Sequence, residues 1–178
     1  MEPRPNEFRT VMGHFATGIS VVTTYDREKP AGITVNAFSS VSLEPALVMV
    51  ALDRRRFITP MVRAAGRYAV NVLGADQQGL SDCFAHAPVR PGEPDREAFC
   101  GAAWQPGPTG LPLIDGSIAT LECTIVETFS AGDHDLFIGR VDSMEQVRDG
   151  VQPLLYFRRR YLRIEDAADS PVEGKPEG

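Results

Sequence analysis

Apolar residues first recur at helical spacing, at Phe8, Val11, Met12 and Phe15, behind an Asn6 that can cap a short helix. After Gly18 the period changes. Ile19 to Tyr25 is β-branched and predicts a strand, and Asp26 to Pro30 predicts a polar turn. Gly32 to Leu43 reads as a second, long strand interrupted by small residues. Leu47 to Leu52 reads as a third, apolar enough to be buried on both faces. Thr59-Pro60 predicts a helix start with proline at the first helical position, although Phe57 and Met61 could pair one turn apart and begin it earlier. That helix ends near Gly66, and Arg67 to Leu73 is a strand. Asp76 to His86 is amphipathic, with Leu80, Cys83 and Phe84 on one face. Ala87 to Leu111 is rich in Pro and Gly and predicts a long surface loop. Ser117 to Phe129 and Asp135 to Val141 are strands across a Gly132-Asp133 turn. Leu154 to Phe157 and Tyr161 to Ile164 are short closing strands.

Six or seven strands with two or three helices, not in strict alternation, disfavour a doubly wound sheet. They favour a mainly β fold, a closed antiparallel barrel with inserted helices. The chain has 178 residues, 43% of them hydrophobic, which suits one globular domain over 1–165. Residues 166–178 are nearly free of apolar side chains and read as a disordered acidic tail. The net charge of −6 argues against nucleic acid as a partner. No apolar run approaches a membrane span, and no signal-peptide pattern opens the chain. Three widely spaced cysteines (Cys83, Cys100, Cys123) without a CxxC pair make a disulfide scaffold an unfavoured reading and a cytoplasmic location the default.

Chemistry is sparse. On a strand, Thr34, Asn36, Ser40 and Ser42 would share one side as a hydrogen-bonding ledge, suited to a flat heteroaromatic. The residues alone favour an edge strand with a solvated face. Arg54-Arg55-Arg56 precede a helix N-terminus, where extra cations gain nothing unless an anion sits there, so a phosphate is one reading and a solvated turn the other. Cys83 and His86 stand i, i+3, too little for a metal site. His134 lies in a polar turn entering an apolar strand. A second triplet, Arg158-Arg159-Arg160, is flanked by Tyr156, Phe157 and Tyr161, aromatics that can stack a nucleotide base or belong to an ordinary closing strand.

Taken together and in order, the segments from Phe8 to Thr24, Gly32 to Pro45, Gly66 to Leu73, Leu80 to Ala85, Gly116 to Cys123, Gly132 to Gly139 and Pro153 to Tyr156 resemble the flavin reductases of the FMN-binding split-barrel class. These are the small components of two-component flavin-dependent monooxygenases. The resemblance implies a Greek-key split β-barrel, a homodimer, and FMN or FAD reduced by NADH or NADPH before transfer to a monooxygenase. Carried over, Thr34, Val35, Asn36, Ala37 and Phe38 would face the flavin, and Ser40 and Val41 its ribityl chain. Arg55, Arg56 and Phe57 would meet the phosphate, with Phe84 and Ala85 near the same end. His134, the candidate catalytic residue, would share the nicotinamide pocket with Tyr156, Arg158 and Tyr161. The family often has Ser and Thr where this chain has arginines and Ile58. The implied reaction needs stacked rings and charge stabilisation but no general base. A non-catalytic flavin- or haem-binding split barrel is the alternative.

Overall fold

The computed structural model describes residues 4–26, 28–86 and 99–164. Helix α1 (Pro5–Met12) is followed by the two-residue strand β1 (Thr17–Gly18) and by the hairpin β2 (Ser20–Asp26) and β3 (Lys29–Val35). Strands β4 (Phe38–Leu43) and β5 (Ala46–Asp53) form a second hairpin, and α2 (Ile58–Ala65) leads into β6 (Arg67–Val72). A 3-10 turn over Ala75–Gln77 opens α3 (Gln78–His86). The short ribbon β7 (Trp104–Pro106) and β8 (Pro112–Ile114) precedes the long hairpin β9 (Ala119–Ala131) and β10 (His134–Gln146). The hairpin β11 (Leu155–Phe157) and β12 (Arg160–Leu162) closes the described chain.

Seven strands make one antiparallel sheet in the order β3-β2-β6-β9-β10-β5-β4. Its two outer strands, β3 and β4, are consecutive in the chain and separated only by Asn36 and Ala37. The two-residue link brings these two ends of the sheet together at Asn36–Ala37, though no strand ladder joins β3 to β4 among the described residues. The out-of-sequence neighbours β2–β6 and β10–β5 supply the crossovers of a Greek key. Inside lie Val22, Ile33, Val50, Val62, Tyr68 and Phe137. In β5 alternate residues Val48, Val50 and Leu52 point inward, so this strand has one buried face rather than two. A second apolar cluster (Val21, Leu73, Phe84, Phe99, Ile114, Leu154) fastens α3 and a separate three-stranded sheet, β1-β11-β12, to the outside of the barrel.

Several expectations are corrected. Gly32 to Leu43 is not one strand: it breaks at Asn36–Ala37, because its halves pair with β2 and β5 at opposite edges of the sheet. Helix α1 starts at Pro5 with Arg4, not Asn6, at the cap position, and proline at the first turn explains the shift. Its apolar residues Phe8, Val11 and Met12 are exposed, as is Phe15 just beyond it. Helix α2 begins at Ile58, so Thr59 is no cap. Its hydroxyl donates to the Asp53 carbonyl at 2.7 Å. Part of the long loop, 87–98, and the tail from 165 lie outside the described residues. Within the rest of that loop the ribbon strand β7 was not foreseen. The expectation against a disulfide is corrected, because Cys83 and Cys100 form one. Their separation carries no motif, and Phe84 stacking edge-on against Phe99, centroids 5.1 Å apart, brings the two cysteines together. Cys83 is thereby removed as a metal ligand, and among the described residues no group of acidic, His or Cys side chains could hold a metal ion. Cys123 stays free and buried, and burial pushes its thiol up to about 12.

Candidate functional site

The break between β3 and β4 builds the site. At Asn36 and Ala37 the backbone leaves one sheet edge for the other, and the Ala51 amide donates to the Ala37 carbonyl at 3.0 Å. The gap beside this crossing is a cavity of about 230 Å³. Thr34, Val35, Asn36 and Ala37 form one wall, Ala51, Leu52 and Asp53 another, and Arg56, Ala85 and His134 close the ends. Seven of the expected site residues therefore meet here, from four separate elements.

Small side chains keep the walls thin. Gly32, behind the first wall, is required by its neighbour: a Cβ there would sit 2.8 Å from Cε1 of Phe84. Phe84 is thus buried behind the wall, not in the cavity, while Ala85, the next residue of α3, faces in. Thr34 Oγ1 donates to the Ser81 carbonyl at 2.7 Å and fixes α3 against β3.

The first arginine triplet divides its work. Arg55 is bound to Asp53 through Nε and Nη2, at 3.0 and 2.7 Å, with Asp133 at 3.7 Å. Those bonds hold the Asp53 carboxyl well below the usual carboxylate range. Arg55, an expected phosphate contact, thus stands in an ion pair with its own side chain mostly exposed. Arg56, by contrast, lines the cavity and its guanidinium has no partner among the described residues. Phe57 is half-buried and packs between the two apolar clusters. At the other rim, Asp133 Oδ1 and His134 Nδ1 lie 2.6 Å apart, and this contact holds the Asp133 carboxyl below its ordinary value.

Phe38, Ser40 and Val41 lie on β4, beyond the crossing and outside the cavity. Phe38 packs on the core, whereas Ser40 and Val41 face solvent. Tyr156 lines a neighbouring cavity, whereas Arg158 and Tyr161 line neither. That second cavity, about 380 Å³, is lined by Phe8, Arg9, Phe15, Tyr156 and Arg159 and shares Asn36 with the first. Arg158 and Arg159 form the two-residue turn of the β11–β12 hairpin, both with left-handed backbones (φ 48° and 62°). The turn is held by the Arg158 amide donating to the Gly13 carbonyl at 2.7 Å, and Arg158 stacks on the Phe157 ring at 5.2 Å. Sequence reading missed Asp53, Ser81 and Arg9, and named Arg159 only as part of its triplet. The serine carries no local signal, since its partners are 47 and 80 residues away.

A cavity with thin walls, an apolar floor and an unpaired guanidinium at one end fits a flat heteroaromatic with an anionic arm. The fold and this cavity define a small mainly β domain with a ligand-sized cleft at the crossing. The family model described as "Flavin reductase like domain" matches residues 12–165, and the chain belongs to that family. It is 36% identical over 169 residues to the reductase subunit HsaB of a flavin-dependent monooxygenase of Mycobacterium tuberculosis (strain ATCC 25618 / H37Rv), covering 94% of this chain and 87% of that one. It is 37% identical over 165 residues to the NADH-dependent FMN reductase AsuE2 of Streptomyces nodosus subsp. asukaensis, covering 93% and 88%. Among solved structures, the NADH:FAD oxidoreductase SgcE6 of Streptomyces globisporus C-1027, in complex with NAD and FAD fragments, superposes with a TM-score of 0.85. That match has 33% identity and covers 95% of this chain and 98% of that one.

Proposed function

We propose that this protein is an NAD(P)H-dependent flavin reductase that hands reduced FMN or FAD to a partner monooxygenase. The observation that carries the reading is the convergence of Thr34, Asn36, Ala37, Arg56, Ala85 and His134 on one cavity, with Arg56 free to meet a phosphate. A bound flavin supplies a two-electron acceptor able to take hydride from a reduced nicotinamide. The chain's own residues have simpler tasks. Arg56 binds the phosphate arm, and Val35 and Leu52 keep the ring's surroundings apolar. Asn36, shared by both cavities, stands where the two ring systems would meet. His134, tethered by Asp133, guards the rim on the nicotinamide side. Tyr156 and Arg159 line the cavity assigned to the dinucleotide. No side chain has to move a proton in that transfer.

The exposed apolar side chains of Phe8, Val11, Met12 and Phe15 support a homodimer in which a second copy covers this face. No helix among the described residues is long and apolar enough to cross a membrane. The deciding experiment is anaerobic incubation with NADH or NADPH and excess FMN or FAD. Multiple turnovers of flavin bleaching are expected. No oxidation of either nicotinamide with either flavin overturns the reading.

A further inference from the structure

Ser81 is completely buried in α3, yet nothing in the flavin cavity touches its side chain. A buried serine in a helix satisfies its hydroxyl most cheaply on a carbonyl one turn back. This one reaches instead to the Tyr161 hydroxyl, 2.9 Å away and 80 residues on. Its own carbonyl meanwhile accepts the Thr34 hydroxyl at 2.7 Å. One residue is therefore bonded on one side to a wall of the flavin cavity and on the other to β12.

The far end of that connection continues. The Tyr161 ring packs edge-on against Tyr156, centroids 5.5 Å apart, and Tyr156 lines the second cavity. Strand β12 is otherwise held by β11 and by Tyr161 packing on the second apolar cluster. It pairs only with β11, in a three-stranded sheet separate from the barrel, and is the outer strand there. Burial raises the Tyr161 pKa most, the Ser81 hydrogen bond lowers it, and a hydrogen bond to Asp82 raises it again, so the tyrosine hydroxyl meets Asp82 as well as Ser81.

We propose that Ser81 is a positioning residue that sets the dinucleotide cavity at its working distance from the flavin wall, through Tyr161 and Tyr156. The proposal rests on assigning the Tyr156–Arg159 cavity to the nicotinamide dinucleotide. Hydride transfer demands close ring contact, so a wall held a fraction of an ångström too far would weaken the reaction without weakening flavin binding.

The test compares Ser81→Ala, Tyr161→Phe and the double variant with wild type in full-length protein. Flavin affinity is read by quenching of flavin fluorescence, and NAD⁺ affinity by calorimetry on flavin-saturated protein, where no turnover occurs. Each single variant is expected to weaken NAD⁺ binding by about five- to ten-fold and leave flavin binding within about two-fold. The double variant should be no weaker than Tyr161→Phe alone, because the serine's bond is already lost there and only the tyrosine also meets Asp82. Tyr161→Phe cuts that bond from the half-exposed side, so the proposal stays testable if Ser81→Ala folds poorly. Unchanged NAD⁺ affinity, multiplying effects, or an equal loss of flavin affinity would overturn it. Arg159→Ala separates the two levels. If it weakens NAD⁺ binding while the Ser81 and Tyr161 variants do not, only the positioning role falls. If it too has no effect, the cavity assignment falls and takes the proposal with it.

Discussion

Two polar clusters in this barrel behave in opposite ways. Around Glu122 every group is answered. The carboxylate, 1% exposed, accepts from the Thr109 amide and hydroxyl and from the Leu111 amide. Nearby, Asn71 donates to the Val21 carbonyl and Thr23 hydroxyl and accepts from the Ile114 amide. Around the β3–β4 crossing, Asn36 and Arg56 have side chains with no protein partner among the described residues. A buried polar group left unpaired costs free energy, so the first cluster pins the 107–114 segment onto the barrel. The second is partly solvated, and its free donors are available to a ligand. Polarity in the first holds the fold, and in the second it serves recognition.

The contrast can be broken from either end. Glu122→Ala should have the largest effect, a loss of about 2–4 kcal/mol in denaturant unfolding, since three donors lose their acceptor. Gly32→Ala should cost about 1–3 kcal/mol, because its Cβ meets the Phe84 ring. It should also weaken flavin binding by displacing α3, which a change at Glu122 should not do in the protein that remains folded. Arg56→Ala should leave the unfolding midpoint unaltered and weaken flavin binding by about 1–3 kcal/mol in a fluorescence titration. An unchanged dissociation constant would return Arg56 to the solvated class. Arg55→Ala, with its partner Asp53 already internal, should change flavin affinity several-fold less than Arg56→Ala.

The smallest effect is in pH. Burial pushes the Asp135 carboxyl up, but hydrogen bonds from Ser130 and Arg63 outweigh it and hold the pKa below the ordinary 3.8. The unfolded chain therefore binds this proton more readily than the folded one. The stabilisation is complete above the ordinary value and fades as pH falls through the lowered one. Asp135→Asn should flatten the acid limb of a melting-temperature profile below about pH 4 and leave flavin binding unaltered.

Much of this was legible in the chain. β-branched and apolar runs marked β2, β5, β6 and β10, since strand formation depends on local propensity, although β5 was expected to be buried on both faces. The small polar run from Thr34 to Ser42 marked the site. That it is cut in two, with only its first half at the cavity, was not legible. The cut depends on β2 and β5 claiming opposite halves as edge partners. The arginine triplet was visible as a candidate anion site. That Asp53 would take Arg55 and leave Arg56 free is a matter of side-chain direction at a strand end.

Local chemistry thus determined that this is a strand-rich barrel with an arginine-flanked ledge of small residues. Tertiary structure alone decided the Cys83–Cys100 disulfide, the burial of Phe84 behind the wall and the Ser81–Tyr161 bond. The physical reason is distance along the chain. These contacts join residues 17 to 80 positions apart, or a helix to a strand it meets only after the sheet has curled, and neither propensity nor spacing reaches that far.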